Sequence, residues 1–348
     1  MPDYLRDLRE ITRRGEGSPL KRSRTLKAID KLERKFGAAG VDVNASGQPA
    51  LIRAMTEDAE EFKRMMLRFC IVRLLRHDYA DWTGWEYRNE WAEASYAPGL
   101  PNRRWRLEAV KTLAILGEQG IGDEIMFSQG VPDAQRLGIS TVLECDPRLI
   151  SVFERSFSCP AKAREDIVNR GASKYLGKPR AVDAFLPIGD LPRLFRKSRQ
   201  AFPQTPYLKP DPAMVGKWAH LRGKTGVAWR GRRGKFSPQA FGLREHPVCL
   251  QYDAWPYETA GMIVPDCDLR NGIEDVLGIC ANLDRVVTVP QTVVHLAAAQ
   301  GTKVEVFIPP VDTGRVVDQL NYRYGTDGRM DWYPSVKVYH SLNEYQQR

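Results

Sequence analysis

The spacing of apolar residues changes about 100 residues into the chain. Before that point apolar side chains recur at helical intervals, as in residues 59–69, and we predict a second helix from about Tyr79 through Trp91. This second stretch carries an aromatic stripe, made of Trp82, Trp85, Tyr87 and Trp91. Large aromatic side chains of this kind usually pack against a neighbouring domain, so we interpret the stripe as a packing surface. The pattern predicts a helical N-terminal region over residues 1–100.

After the turn-forming run Pro98–Pro101, short apolar runs alternate with helical patterns. The first part predicts strands at Val110–Leu116 and Ser140–Glu144, and helices at Asp123–Leu137, Pro147–Phe157 and Leu186–Arg196. The second part predicts strands at Thr225–Trp229, Pro247–Gln251, Met262–Val264, Arg285–Val289 and Val304–Ile308, and helices at Ile273–Ala281 and Thr292–Ala299. This alternation is typical of parallel α/β sheets. We therefore expect two α/β domains, 101–205 and 206–348, that face each other across a cleft.

A glycine-rich turn, Gly117–Glu124, follows the first predicted strand and opens a helix. Glycines let the backbone approach a ligand, and free amides at a helix start favour an anion, so Gly120 and Gly122 are candidate ligand contacts. Asp123 has two interpretations. It is an ordinary N-cap, worth about 1 kcal/mol, or it is a carboxylate at the cleft mouth that accepts a proton from a hydroxyl group.

A second helix start lies near the C-terminus, where an apolar strand ends at Pro290. The amides after Gln291 and the hydroxyl of Thr292 are candidate donors to a phosphate. His295 lies one turn further along, on the same helix face as Thr292. A single histidine is as often a satisfied structural residue as a functional one, so both interpretations stay open here.

The third candidate is a strand that runs into a basic loop, Gly226–Lys235. Trp229, Arg230 and Lys235 lie in it, and cationic side chains could neutralise a diphosphate. The same loop could instead contact a nucleic-acid backbone. Gln251, at the end of the next predicted strand, is assigned to the same binding site.

Charge widens the choice of partner. The net charge is +9, and the first 35 residues hold eleven Lys and Arg against six Asp and Glu. Residues 222–235 add six basic residues and no acidic one. Such a balance favours polyanionic partners, which include sugar diphosphates, phosphorylated glycans and nucleic acid.

Taken in order, seven runs resemble the heptosyltransferase-like glycosyltransferase domains that follow tetratricopeptide repeats in bacteria. They are His77–Arg88, Gly117–Asp123, Leu186–Phe195, Pro206–Leu208, Ala281–Asp284, His295–Ala297 and Trp332–Val336. The resemblance covers about residues 75–340 and implies a GT-B fold with two Rossmann-like domains. It implies that Asp123 is the catalytic base. It also implies that the basic loop and the helix near Thr292 hold a nucleotide diphosphate. The chain departs from the family at Pro290–Gln291, where many relatives have Asp-Thr, and only one repeat-like helical hairpin is visible.

The predicted function is therefore sugar transfer from a nucleotide-diphosphate sugar to an acceptor hydroxyl, inverting and without a metal or other cofactor. The acceptor is a glycan or, as an alternative suggested by the charge, a hydroxymethylated base in DNA. A further alternative is a non-catalytic binding module that keeps the fold. The chain has no apolar run of membrane-spanning length and no signal-peptide core near Met1, which favours the cytoplasm. The pattern does not indicate an oligomeric state.

Overall fold

The structure is a computed structural model that describes part of the chain. It covers residues 62–63, 66–67, 70–71, 73–74, 77–89, 104–118, 120–164, 182–231, 234–243, 246–308, 321–324, 327–339 and 345. The described positions between 62 and 74 are helical, as predicted for this part of the chain. The basic segment 1–35 and Trp91 lie outside the described residues.

The first half of the described chain forms a parallel sheet with helices between its strands. Its elements are β1 (Thr112–Leu116), α1 (Ile121–Phe127), α2 (Val131–Arg136), β2 (Ser140–Cys145), α3 (Ile150–Phe157), β3 (Ala161–Ala163), β4 (Ala184–Pro187) and α4 (Leu191–Phe195). The strand order is β3-β2-β1-β4, and every pair is parallel. β1 is central and buries four of its five residues, since helices cover both faces of such a sheet.

The second half forms another parallel sheet. Its elements are α5 (Pro212–Lys217), β5 (Thr225–Ala228), β6 (Arg230–Gly231), β7 (Gly234–Lys235), β8 (Val248–Cys249), α6 (Ile273–Asn282), β9 (Arg285–Thr288), α7 (Thr292–Ala299), β10 (Lys303–Phe307), α8 (Asn321–Tyr324) and β11 (Val336–Tyr339). The sheet order is β11-β10-β9-β5-β8, while β6 and β7 pair separately as a small antiparallel hairpin. The prediction of parallel α/β sheets is confirmed for both halves.

Three predicted elements are wrong. The helix expected at Leu186–Arg196 begins instead as strand β4, because Pro187 cannot donate a helical hydrogen bond, and helix α4 starts only at Leu191. The helix expected from Tyr79 is a series of turns followed by a 3₁₀ segment at Trp85–Asn89. The reason is Gly84, whose φ of +97° breaks any helix there.

The third wrong element is the strand predicted at Met262–Val264. This segment makes a single bridge, from Ile263 to Val248 of β8, and does not continue as a strand. The helix predicted from Asp123 to Leu137 is present but is divided into α1 and α2 by a 3₁₀ turn at Ser128–Gly130.

The aromatic stripe packs into a core shared by the two halves. The Trp82 indole donates to the Arg196 carbonyl at 2.8 Å, and the Trp85 indole donates to the Gly189 carbonyl at 2.7 Å. The Trp85 ring also contacts Phe127 of α1 and Tyr322 of α8, with centroids 6.1 and 5.2 Å apart. The packing interpretation of the stripe is confirmed for Trp82 and Trp85.

The strand orders place a crevice in each sheet. In an open parallel sheet, ligands bind beyond the carboxyl ends of the strands. The binding point lies between two neighbouring strands whose following connections run to opposite sides, because the strand order reverses there. This point lies between β1 and β4 in the first sheet and between β5 and β9 in the second. The glycine-rich turn follows β1, and the basic loop and the Thr292 helix follow β5 and β9.

Candidate functional site

Two segments that are far apart in sequence meet where α1 packs on α7. We call this contact the junction; it consists of Gly120–Asp123 at the start of α1 and Thr292–His295 at the start of α7. A Cβ atom added at Gly122 would lie 2.9 Å from Cδ2 of His295, so only glycine permits this approach. The first two candidate sites of the sequence are therefore one site.

Asp123 is held at the junction by a partner that the sequence did not predict. Its Oδ1 accepts a hydrogen bond from Nη2 of Arg323 at 2.6 Å, and the two side chains form an ion pair. Although burial alone would lower the pKa of the Arg323 guanidinium, the Asp123 carboxylate raises it. The N-cap interpretation of Asp123 is wrong, since Gly120 occupies the cap position and Asp123 is the third residue of the helix.

The second carboxylate oxygen of Asp123 is available. Within the described residues Oδ2 has no hydrogen-bond partner, and the side chain is 19% exposed. One oxygen is thus fixed by a cation while the other can accept a proton or a hydrogen bond. This is the geometry that a general base needs.

His295 is buried in α7 and faces the first turn of α1. Its Nδ1 lies 3.1 Å from the Tyr333 hydroxyl oxygen. Burial lowers the pKa of His295 to about 4, which Asp123 opposes and Arg323 reinforces. The imidazole is therefore neutral at pH 7.

The start of α7 lies at the crevice of the second sheet. Gln291 occupies the cap position without a side-chain cap, and its Nε2 donates to Oγ1 of Thr288 at 3.0 Å. A Cβ atom added at Gly231 would lie 2.5 Å from the Pro290 carbonyl oxygen, so the loops after β5 and β9 approach closely. Thr292 is half-buried at this edge.

Gln251 organises the end of β5. Its Oε1 accepts hydrogen bonds from the backbone N–H groups of Trp229 at 3.0 Å and Arg230 at 2.9 Å, and its Nε2 donates to Asp253 at 2.6 Å. Gln251 and Trp229 are both buried. The two residues shape the crevice wall from behind, and the assignment of either as a nucleotide-sugar contact stays a prediction.

The Arg230 guanidinium is already bound within the protein. Its Nη2 donates to Glu258 at 3.0 Å and to the Asp253 carbonyl at 2.7 Å. Arg230 therefore ties the loop after β8 to the end of β5, and a diphosphate would have to compete with these acceptors. The backbone of Lys235 pairs with Arg230 in the β6–β7 hairpin, while Gly120 is exposed at the start of α1. Arg232 and Arg233 lie outside the described residues.

The crevice of the first sheet is filled by the protein's own charges. Arg88 donates from Nε to Glu118 at 2.9 Å and from Nη1 to Asp190 at 2.8 Å, and Arg104 also pairs with Asp190. Burial raises the pKa of Glu118; at Asp190 burial acts in the same direction, but Arg88 and Arg104 outweigh it and lower the pKa. Gly189 makes room, because a Cβ atom there would collide with Glu118. We call this group the buried ion cluster (Arg88, Arg104, Glu118, Asp190).

Sequence reasoning missed the cluster, Arg323 and Tyr333. Glu118 lies in the glycine-rich turn and Arg88 ends the aromatic run, so both were near predicted features. No spacing in the chain indicates that Arg88 would reach Glu118 or that Arg323 would reach Asp123. These pairings depend on tertiary contacts.

An Asp-x-Asp run, the pattern that often holds a metal-bridged donor, occurs once in the chain at Asp266–Asp268. The Asp268 carboxylate accepts hydrogen bonds from the backbone N–H groups of Arg270 and Asn271 and from the Asn271 side chain, so it shapes its own loop. In the described part of the chain, no group of three His, Cys, Asp or Glu side chains is placed to hold a metal ion. Metal independence stays a prediction.

Searching the described helices for a transmembrane candidate gives none: each is too short or too polar to cross a bilayer.

Comparison with characterised proteins identifies a relative by sequence. No family model matches the chain. Protein FlbA of Caulobacter vibrioides is 30% identical over 298 residues, which is 74% of this chain and 48% of FlbA. The chain thus spans about half the length of this curated relative.

Solved structures with partial similarity are glycosyltransferases. A glycosyl transferase family 9 protein from Veillonella parvula superimposes with a TM-score of 0.49 at 9% identity, covering 72% of this chain and 89% of that one. E. coli heptosyltransferase WaaC with ADP has a TM-score of 0.40 at 15% identity, covering 60% and 96%. E. coli ADP-heptose lps heptosyltransferase II has a TM-score of 0.44 at 12% identity, covering 66% and 90%.

Proposed function

We propose that this protein is a glycosyltransferase that moves a sugar from a nucleotide-diphosphate sugar to an acceptor hydroxyl, with inversion and without a metal ion. The observation that carries the proposal is the state of Asp123. Arg323 fixes Oδ1 at 2.6 Å, Oδ2 has no partner among the described residues, and the group lies at the junction beside neutral His295. The sequence resemblance to heptosyltransferase-like domains, given above, implies the same role for Asp123.

In the proposed reaction, the acceptor O–H gives its proton to Oδ2 of Asp123 as the acceptor oxygen attacks the anomeric carbon. The bond from that carbon to the diphosphate breaks, and the nucleoside diphosphate leaves with the electron pair. General-base catalysis of this kind contributes about 10²–10⁴-fold. The Arg323 ion pair keeps the carboxylate in one orientation, so that little reorganisation is needed at the moment of attack.

The proposed donor site is the crevice between β5 and β9. The amides at the start of α7, the Thr292 hydroxyl and Lys235 would stabilise the departing diphosphate. Arg230 would contribute by ordering the loop, since its guanidinium is bound to Glu258 and Asp253. Gln291, with its amide nitrogen already donated to Thr288, would present its carbonyl oxygen at the same edge.

The proposed acceptor is a glycan hydroxyl. The DNA alternative depends on the basic residues 1–35, which lie outside the described residues, and on the six basic residues of 222–235, and it stays a prediction. Cytoplasmic location and linkage to tetratricopeptide repeats also stay predictions.

The test is Asp123→Asn, assayed with a panel of sugar nucleotides for transfer and for hydrolysis of the donor. We expect transfer to fall by about a hundredfold or more, with donor affinity measured by calorimetry unchanged. Asp284→Asn is the matched control, because it makes the same change at an exposed carboxylate with no side-chain partner among the described residues. Near-normal turnover in Asp123→Asn would remove the assigned role.

The non-catalytic alternative predicts a different pattern. In that case the protein keeps the fold but has lost donor binding, so the wild type neither binds, transfers nor hydrolyses a sugar nucleotide, and Asp123→Asn has no effect to measure.

A further inference from the structure

A chain of three hydrogen bonds links the His295 ring to the backbone of α1. The Tyr207 hydroxyl lies 2.8 Å from the Ile125 carbonyl oxygen and 3.2 Å from the Tyr333 hydroxyl oxygen. The Tyr333 hydroxyl oxygen in turn lies 3.1 Å from Nδ1 of His295. The side chains of Tyr333 and His295 are buried, and the side chain of Tyr207 is half-buried.

The number of protons fixes the direction of this chain. A carbonyl oxygen cannot donate, so the Tyr207 proton must point to Ile125. The hydrogen bond between the two tyrosine hydroxyl groups must then be donated by Tyr333 to Tyr207. Because the Tyr333 hydroxyl has no second proton, only a lone pair of its oxygen faces His295. Its partner there must therefore be an N–H group, and Nδ1 carries the proton.

Burial keeps this assignment stable. The pKa of Tyr333 is raised well above 10, first by burial and then by Tyr207, so the hydroxyl stays protonated and available to donate. The pKa of His295 is lowered to about 4, so a single ring proton is present at neutral pH. With that proton on Nδ1, the other nitrogen, Nε2, bears a lone pair.

Nε2 faces the turn that carries Asp123. A Cβ atom at Gly122 would lie 3.5 Å from Nε2, and the residue is only 5% exposed. Within the described residues Nε2 has no hydrogen-bond partner. Nε2 is not one of the described side-chain atoms that are closed off from solvent without a partner, so its lone pair is within reach of a ligand that donates a hydrogen bond.

We infer that Tyr333, itself held by Tyr207, is a positioning residue that keeps His295 in the Nδ1–H tautomer, so that Nε2 accepts a hydrogen bond from a hydroxyl group of the sugar substrate. This inference rests on the proposed function for the identity of the ligand. The junction then presents two acceptors, Nε2 and the Asp123 carboxylate. Two acceptors suit a neutral polyol and disfavour an anionic group at this point.

The test measures the tautomer directly, in full-length protein labelled with [¹⁵N]histidine and without any ligand. The chain has five histidines, and His295→Gln assigns the His295 resonances by their loss. We expect an unprotonated Nε2 and a protonated Nδ1 in the wild-type protein. In Tyr333→Phe the Nδ1–H loses its acceptor, so the population should shift toward Nε2–H.

Tyr339→Phe is the matched control. It removes a hydroxyl from another buried tyrosine, in β11, whose oxygen has no hydrogen-bond partner among the described residues. We expect no change of tautomer there, whereas Tyr207→Phe should loosen the preference because Tyr333 loses its acceptor. A protonated Nε2 in the wild type, or an unchanged spectrum in Tyr333→Phe, would overturn the assignment.

Activity gives the second readout. Tyr333→Phe should lower kcat/KM for sugar transfer by several-fold to about tenfold, the effect of one lost hydrogen bond, without changing the fold. If the tautomer is as expected but no sugar nucleotide is turned over by any variant or by the wild type, the proposed function fails while the positioning of His295 stands. If transfer occurs and Tyr333→Phe leaves kcat/KM unchanged, the substrate hydroxyl does not bind Nε2.

Discussion

Gly122 lies where the first turn of α1 meets the ring of His295. The ring is buried, and a Cβ atom at this position would be only 2.9 Å from it. At Gly120, two residues earlier, a Cβ atom would meet nothing closer than the Asp123 carboxylate at 3.7 Å. Comparing the same substitution at Gly122 and at Gly120 therefore separates steric crowding against His295 from the other effects of replacing a glycine.

Gly122→Ser should lower the free energy of unfolding by about 1–3 kcal/mol, the usual cost of overpacking. Gly120→Ser should be neutral or slightly stabilising, because serine is a good N-cap and the position has extended backbone angles. Urea denaturation of both variants checks this. Equal stabilities would mean that α1 and α7 are not in tight contact.

Burial of neutral His295 makes stability depend on pH. The pKa is about 6.5 in the unfolded chain and about 4 in the folded one, so between these values the unfolded state binds more protons. Stability from this group is therefore fully present above pH 6.5 and is lost as pH falls toward 4, by up to about 3 kcal/mol. Denaturation at pH 7, 6 and 5 should show a shallower decline in His295→Gln than in the wild type.

His220→Gln is the control for this prediction, because His220 is exposed. A decline in His295→Gln as steep as in the wild type would mean that His295 is charged in the folded protein.

At the scale of elements, one side chain fixes the loop that leaves β5. Gln251 accepts from two consecutive backbone N–H groups, which continues the hydrogen bonding of the strand past its last residue. Arg230 then joins this loop to the segment after β8 through Glu258 and Asp253. The crevice of the second sheet is thus built before any ligand enters.

Gln251→Met keeps the size of the side chain but removes the acceptor. We expect a loss of about 1–3 kcal/mol in the free energy of unfolding, because the buried N–H of Trp229 is left unpaired. The exposed Gln239→Met should change stability little. Indistinguishable denaturation midpoints for the two variants would show that other groups satisfy these amides.

At the scale of the whole molecule, residues 77–89 connect the two halves. Tyr79 and His77 bind Asp331 near the start of β11, while Trp85 and Arg88 bind the end of β4 and the glycine-rich turn. The segment was predicted as part of a separate helical region. Its contacts make it part of the shared core.

Arg88→Met should destabilise the protein by about 3–5 kcal/mol, because it removes the positive charge that pairs with the buried carboxylates of Glu118 and Asp190. Arg136→Met removes a surface pair with Asp133, where the arginine side chain is 71% exposed, and should cost less than about 1 kcal/mol. Hydrogen exchange of the Trp82 and Trp85 indole N–H groups gives a local readout. It should accelerate in Arg88→Met alone, and unchanged protection would mean that aromatic packing holds the segment without the cluster.

Much of the fold could be predicted because local patterns suffice for it. Buried strands such as β1 and β9 are short apolar runs, and helices such as α6 and α7 show helical spacing between turn formers, so their positions came within a few residues. Predictions failed where a local pattern was ambiguous, as at Leu186–Arg196, where prolines divide an apolar run. They also failed at Tyr79–Trp91, where aromatic spacing resembles a helix but Gly84 turns the chain.

The sequence by itself determined the alternation of strands and helices, a helix start at the end of the glycine-rich turn and another near Thr292, and the residue types that bring chemistry to them. These features depend on side-chain periodicity and on backbone preferences within short stretches of the sequence. Only the tertiary structure decided that the two helix starts meet, that Arg323 fixes Asp123, that Tyr333 binds His295, and that Arg88 fills the first crevice. Each of these contacts joins residues that are far apart in the chain. The spacing of residues along the sequence does not show which buried charge or hydroxyl group pairs with which partner.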